Sequence, residues 1–313
     1  NGSCLEHSCR ELICRARGLE IIASIMRAYV RNTSVQQAGL FVLEQLSMSP
    51  TCRGEIRRSH DAMTALITTM NHHEDIIVQQ KGCATILNLV KTEFVANSRD
   101  LIVNIRNSVL ESMRQHRDDK TIQHYGCAVI SILAKGGHPQ SIATKGGIHD
   151  IISAMDRHPK CTSVQKYAIS ALEQLAYQSL TAKEQILDHS GIDKICLVLR
   201  LYPSDRDLQI KGWRGLRSLF RAEPDDAVSR RVEVTQNILG TFHVTFASYC
   251  RDDAVVEEVS KALQQLAVFP KNRAVLSSLV QDFAEDHASL RPLCGPSTQR
   301  TQHPKPRKRP DHN

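Results

Sequence analysis

The stretch GGIHDIISAMDRHPKCTSVQKYAISALEQLA, Gly146 to Ala176, holds two amphipathic helical patterns separated by one break. Ile148, Ile151, Ile152 and Met155 fall at the i, i+3, i+4, i+7 spacing of a single apolar helical stripe. Gly146-Gly147 in front of them suits a tight bend between helices, because glycine reaches positive φ at no steric cost. Pro159, in His158-Pro159-Lys160, biases the residue before it away from α and so ends the first helix. Thr162 or Ser163 is placed to cap the second, which packs through Val164, Ala168, Ala171, Leu172 and Leu175.

One pair of this size cannot bury both of its faces, and the rest of the chain supplies the neighbours. Val164-Gln165 recurs as Val35-Gln36, Val78-Gln79, Ile122-Gln123 and Leu208-Gln209, in steps of 43, 44, 42 and 44 residues. A degraded copy starts near Val255-Val256. A helical repeat of this length implies a solenoid, in which each unit buries its apolar stripes against the next. The expected fold is therefore all-α, with about six three-helix repeats near residues 4–47, 52–90, 98–134, 139–176, 181–220 and 225–268, a capping helix over 272–288, and a single solenoid over 1–290.

Within those units the pattern predicts helices over Leu19–Val30 and Val35–Ser47, then Arg53–His60, Met63–Met70 and Val78–Val90. Unit three reads as Ser98–Ile105, Val109–Met113 and Ile122–Ala134. Unit five reads as Thr181–His189, Ile192–Leu201 and Leu208–Phe220, with Thr181 and Glu184 spaced as a capping box. Unit six departs from the scheme: Pro224-Asp225-Asp226 opens a helix, then come Val232–Tyr249, Val255–Val268 and a last helix over Asn272–His287. Pro292, Gly295, Pro296, Pro304, Pro306 and Pro310 mark residues 291–313 as a disordered tail.

The composition fits close helix stacking. Aromatic residues make up only 4% of the 313, and the core is left to Leu, Ile, Val and Ala. No apolar run approaches the ~20 residues that span a bilayer, and no signal-peptide pattern opens the chain. It begins at Asn1 rather than Met, and the expectation is a fragment or a partial gene model. The ten cysteines form no CxxC pair, and Cys83 and Cys127 occupy one repeat position twice, as small core residues. Free thiols at this density fit a reducing, intracellular compartment, and two Asn-x-Ser triplets at Asn1 and Asn32 argue weakly the other way. Of the net charge of +7, Arg300, Lys305, Arg307, Lys308 and Arg309 against Asp311 supply +4, so the basic balance belongs mostly to the tail. Lys305, Arg307, Lys308 and Arg309 resemble a nuclear-localisation segment.

Units two to five each resemble an armadillo repeat: a short first helix, a bend, a second helix, a turn, and a long third helix opening on Val-Gln or its equivalent. The resemblance covers about residues 8–270, and the form at Gly146–His158 is similar to repeats in multi-repeat eukaryotic scaffolds, the armadillo part of large leucine-rich-repeat kinases among them. It implies a right-handed superhelix whose third helices line a concave groove for extended peptides. Importin-α-type receptors carry a Trp five residues past the Gln position and an Asn four residues later. Here the Trp positions hold Phe41, Ala84, Ala128, Ser170 and Arg214, and the Asn positions hold Gln45, Asn88, Ile132, Gln174 and Ser218, so that ladder is absent. The candidate groove residues are Phe41 as an anchor, Gln45, Asn88, Gln174 and Ser218 as hydrogen-bonding groups, and Arg214 as a charge.

No catalytic constellation emerges. There is no GxSxG, no HExxH, no kinase motif set and no phosphate loop around Lys145-Gly146-Gly147. His72, His116 and His158 recur at steps of 44 and 42 and read as C-capping residues after the second helix of each unit. Units stacked roughly 10 Å apart cannot bring them together around a metal. Asp225/Asp226 and Asp252/Asp253 sit at helix starts, where an N-terminal charge role explains them. Gly82 and Gly126 lie inside third helices, where close helix approach accounts for them. The expectation is a non-enzymatic, monomeric, cytoplasmic scaffold or adaptor that binds a partner protein or peptide, with no cofactor, metal or membrane association. Two alternatives stand beside it: a nuclear or nucleic-acid-associated protein using the basic tail, and the regulatory arm of a larger enzyme.

Overall fold

The structure, a computed structural model, describes residues 9–14, 16–91, 99–221, 231–281, 283 and 287–293. These are helical almost throughout, with no strand among them. In chain order the helices are α1 (Gly18–Ala28), α2 (Thr33–Ser47), α3 (Pro50–Arg58), α4 (His60–His72), α5 (Ile76–Val90), α6 (Arg99–Gln115), α7 (Lys120–Lys135) and α8 (Pro139–Thr144). They continue as α9 (Gly147–Arg157), α10 (Thr162–Gln178), α11 (Leu180–Asp188), α12 (Gly191–Leu201), α13 (Arg206–Phe220), α14 (Gln236–Tyr249), α15 (Asp253–Leu266) and α16 (Pro270–Val280). A 3₁₀ turn, Ala288–Leu293, closes the described chain. The chain is a helical-repeat stack. The longer helices α2, α5, α7, α10, α13 and α15 pack side by side in sequence order, and α1, α4, α6, α9, α12 and α14 form a second row behind them.

The recurring Gln is the joint of each unit. Gln36 Nε2 donates to the carbonyls of Met26 and Tyr29, each at 2.9 Å. Gln79 does the same to Met70 and His73, Gln123 to Met113 and His116, Gln165 to Met155 and His158, and Gln209 to Leu199 and Tyr202. Each amide thus donates to two carbonyls at a helix C-terminus, and the Tyr29, His116, His158 and Tyr202 carbonyls also accept from a backbone N–H three residues on. The same joint explains the glycines. A Cβ on Gly82 would come within 2.6 Å of the Met70 side chain, and one on Gly126 within 2.4 Å of Met113 Sδ, so the glycine makes room for the preceding helix's last apolar residue. Cys83 and Cys127 are fully buried, and desolvation pushes their thiols up to about 12.

Asn32, Asp75, Asp119, Asp205 and Asp252 cap the long helices by accepting from the backbone N–H three residues on, at 3.1, 2.9, 2.8, 3.1 and 3.3 Å. Such a cap contributes about 1 kcal/mol. The repeat register puts Cys161 at this position in α10, where no side-chain cap forms, and Thr162 and Ser163, the expected caps, fall inside the first turn. Likewise Ser179, not Thr181, caps α11, its hydroxyl accepting from Ala182 N–H at 3.2 Å. Gly146 takes the left-handed conformation before α9, with φ 78°, as the bend requires.

Three further expectations change. The expected helices Ser98–Ile105 and Val109–Met113 fall, from Arg99 on, within one continuous α6, because Arg106 and Ser108 are buried polar residues rather than a break, Ser108 donating to Asn71 at 2.7 Å; Ser98 lies outside the described residues. The repeating histidine is His73 rather than His72: His73, His116 and His158 are the residues whose carbonyls receive the Gln amide. Residues 291–293 belong to the closing 3₁₀ turn, where Leu290 and Leu293 are buried, and the expected Asn272–His287 helix ends at Val280. The helix expected from Pro224-Asp225-Asp226 lies outside the described residues, as do Lys305, Arg307, Lys308 and Arg309 of the tail.

Candidate binding cleft

Positions 8, 9 and 12 residues after the Gln share one helical stripe and put Glu173, Gln174 and Tyr177 on α10 and Arg217, Ser218 and Arg221 on α13. In α15, whose Val256 replaces the Gln, positions 8 and 9 hold Gln264 and Gln265, and Lys261 lies one turn earlier, at position 5. Because α10, α13 and α15 pack in succession, the three stripes face one another across a cleft of about 670 Å³. That is the size of a small-ligand or peptide-side-chain site.

The charges in it are arranged, not scattered. Glu258, its side chain almost buried, receives Arg214 Nε at 3.1 Å and lies 3.1 Å from an Arg217 terminal nitrogen. Lys261 Nζ pairs with Glu257 at 2.6 Å. The Arg221 guanidinium lies over the Tyr177 ring, 4.7 Å from its centroid. Burial pushes the Glu173 carboxyl above its usual range, while Arg214 and Arg217 pull it back down. Gln264 is held by the Ser289 carbonyl at 3.0 Å. The Gln174 and Gln265 amides make no hydrogen bond among the described residues. An amide that both donates and accepts can pair with a peptide backbone without reading its side chains.

The candidate residues divide between this cleft and positions away from it. Gln174 and Ser218 line the cleft, and Arg214 adjoins it through its bond to Glu258. Phe41 is exposed on α2 with Lys81 Nζ 5.3 Å from its ring centroid, and Gln45 is half-buried on the same helix. Asn88 is occupied: its amide nitrogen donates to Ser47 Oγ at 3.0 Å and its oxygen accepts from Lys91 at 3.4 Å. Glu173, Tyr177, Arg217 and Arg221 lie beside or one turn past the Trp and Asn ladder positions of α10 and α13, and Lys261, Gln264 and Gln265 belong to the unit without the Gln, so the ladder of the five Gln-bearing units includes none of them. Trp213, one residue off the ladder, is fully buried and donates to Thr245 Oγ1 at 3.0 Å.

Among the described residues no cluster of three His, Cys, Asp or Glu side chains is placed to hold a metal ion. No helix there is long and apolar enough to cross a membrane.

No family model matches the sequence. Solved structures do match the fold. One belongs to work on a conserved phosphorylation switch that controls the interaction between cadherin and β-catenin; it is 19% identical, with TM-score 0.68 over 86% of this chain and 52% of that one. This chain therefore spans about half the length of that relative. An engineered protein solved by the Northeast Structural Genomics Consortium is 16% identical, with TM-score 0.68 over 92% of this chain and 69% of its own. A second engineered protein from the same consortium, 16% identical with TM-score 0.60, is covered over 99% of its length by 80% of this chain. At these identities the likeness is one of fold.

Proposed function

We propose that the chain is a non-catalytic interaction scaffold of the armadillo type. In this reading it is a right-handed superhelix of about six three-helix units, monomeric and intracellular, which grips an extended peptide or a partner protein along its long helices. The observation that carries it is the cleft between α10, α13 and α15, with two side-chain amides, Gln174 and Gln265, held half-buried and open to a peptide backbone. The fold shared with the cadherin–β-catenin system supports the class.

Peptides selected from a displayed random library against the intact chain test this. Gln174→Ala, Tyr177→Ala and Gln265→Ala combined are expected to weaken the selected peptides at least tenfold with the thermal transition unchanged. Selected peptides that are indifferent to the triple variant would remove the cleft from the proposal.

A further inference from the structure

Helices α9 and α12 each open on a glycine, and the residue two places on reaches the unit that follows. In unit five this residue is Asp193, which accepts from Asn237 of α14 at 2.6 Å. In unit four it is His149, and what it meets is a second histidine, His189, at the C-terminal end of α11. The two ring centroids lie 5.9 Å apart, edge to face at 61°. Both residues are exposed, and no hydrogen bond joins their rings. Where the neighbouring joint pairs an acceptor with a donor, this one sets two nitrogen bases side by side.

Their hydrogen bonding suits metal ligation. His189 Nδ1 donates to the Gln185 carbonyl at 2.8 Å. A carbonyl only accepts, so Nδ1 carries the proton and the neutral ring keeps its lone pair at Nε2. A bond of this kind, from the far ring nitrogen to a backbone carbonyl, is what orients metal-bound histidines. His149 makes no hydrogen bond among the described residues, which leaves its ring free to turn about χ2. The spacing fits as well. An imidazole nitrogen holds zinc at about 2.0–2.1 Å, which puts the ion about 3 Å from the ring centre, so two rings sharing one ion have centroids about 5–6 Å apart. The neighbouring carboxylate, Asp188, is engaged by Arg231 at 2.6 Å. With no third ligand beside them among the described residues, the two imidazoles are the protein's contribution and water completes the coordination.

We propose that His149 and His189 form a binding site for one zinc ion, an ion that neutral imidazoles suit. The ion joins α9 of unit four to the end of α11 of unit five, the task that Asp193 and Asn237 perform between units five and six. Neither histidine lines the cleft, so the site stands whether or not the cleft binds a peptide.

The test titrates the whole chain, kept reduced, with Zn²⁺ alone. The histidine ring signals are followed by NMR, and the thermal midpoint gives a second readout, because an ion that binds the folded chain raises it by mass action. The expected result is a saturable shift of the His149 and His189 signals together, at one ion per chain, with a higher midpoint. His149→Ala and His189→Ala should each weaken that site at least tenfold, and as both side chains are exposed the fold should tolerate either change. His72→Ala should leave the site unchanged: His72 Nδ1 makes the same bond, to the Thr68 carbonyl at 2.8 Å, with no second ring in contact among the described residues. No shift of the two ring signals, or a shift of one that survives loss of the other ring, would overturn the proposal. So would zinc uptake that the double variant retains in full, since the ion would then sit on cysteines or on other histidines.

Discussion

The two ends of the stack meet their surroundings by opposite means. At the C-terminal end, α15 lies under α16 and the 3₁₀ turn: Leu276, Val280, Leu290 and Leu293 are buried, and Ser260 Oγ lies 2.9 Å from Ser289 Oγ. At the N-terminal end, α1 keeps two isoleucines and a tyrosine in the open. The repeat itself is indifferent to which end it occupies. Among the described residues, α16 and the 3₁₀ turn are a non-repetitive cover over the last apolar stripe on the C-terminal side. Closing a solenoid is therefore a separate structural act from propagating it.

Stripping the closed end should have the largest effect. Leu290→Ala with Leu293→Ala removes two buried leucines, each worth about 2–5 kcal/mol, and the C-terminal unit should lose about 4 kcal/mol or more, read as a drop in the denaturant midpoint and fast exchange in α15. Equal exchange in α15 before and after would mean that the 3₁₀ turn is not its cover. Next comes the joint at the open end. Gln36→Ala leaves the Met26 carbonyl without its side-chain donor and deprives Thr69 Oγ1 of its acceptor, while the Tyr29 carbonyl keeps the Asn32 N–H. Unpaired buried groups cost about 1–3 kcal/mol each, so a loss of about 2–4 kcal/mol is expected, with α1 detaching first in hydrogen exchange.

Acid should then separate the ends by a smaller margin. Asp252 caps α15 and is held below the usual carboxylate range, first by its hydrogen bond from Arg206, while the equivalent cap at the other end is Asn32, which does not titrate. A carboxylate with a depressed folded pKa contributes stability that is present above its unfolded value, near 3.9, and lost as pH falls through the folded value. Below pH of about 4, exchange over Asp253–Leu266 should therefore rise relative to Thr33–Ser47, and Asp252→Asn should erase that difference. Smallest of all, Ile21→Ser with Ile25→Ser should shift the stability of the chain by no more than about 0.5 kcal/mol, as expected for exposed sites. A larger loss would show that α1 is already covered.

Much of this was legible in the sequence, for a physical reason. The Gln recurs because a helix-end carbonyl needs a donor at the same place in each unit, and Gly82 and Gly126 recur because Met70 and Met113 occupy their Cβ space. Both are local demands, met within one unit. The cleft was only half legible. Gln174 and Ser218 sit on ladder positions, but Tyr177, Arg221 and Lys261 gain meaning only when three helices some 44 residues apart lie side by side. The caps misread in α10 and α11 show the same limit: Thr162 and Thr181 have the right chemistry, while register fixed by the packed Val164 and Ile186 places the cap elsewhere. In α6, Arg106 and Ser108 look like a break until burial and the bond to Asn71 are known.

The uncapped start of α10 has a mechanical side. Gln37 grips Asp75 at 2.9 Å, Gln80 grips Asp119 at 2.9 Å, and Lys166 grips Asp205 at 3.0 Å, each a crosspiece from one long helix to the cap of the next. Between α7 and α10 the matching side chain is His124 and the matching cap is Cys161, which offers no carboxylate, so the ring stacks on Tyr167 at 4.9 Å instead. That pair of long helices is therefore joined at this point by ring stacking and not by a polar crosspiece.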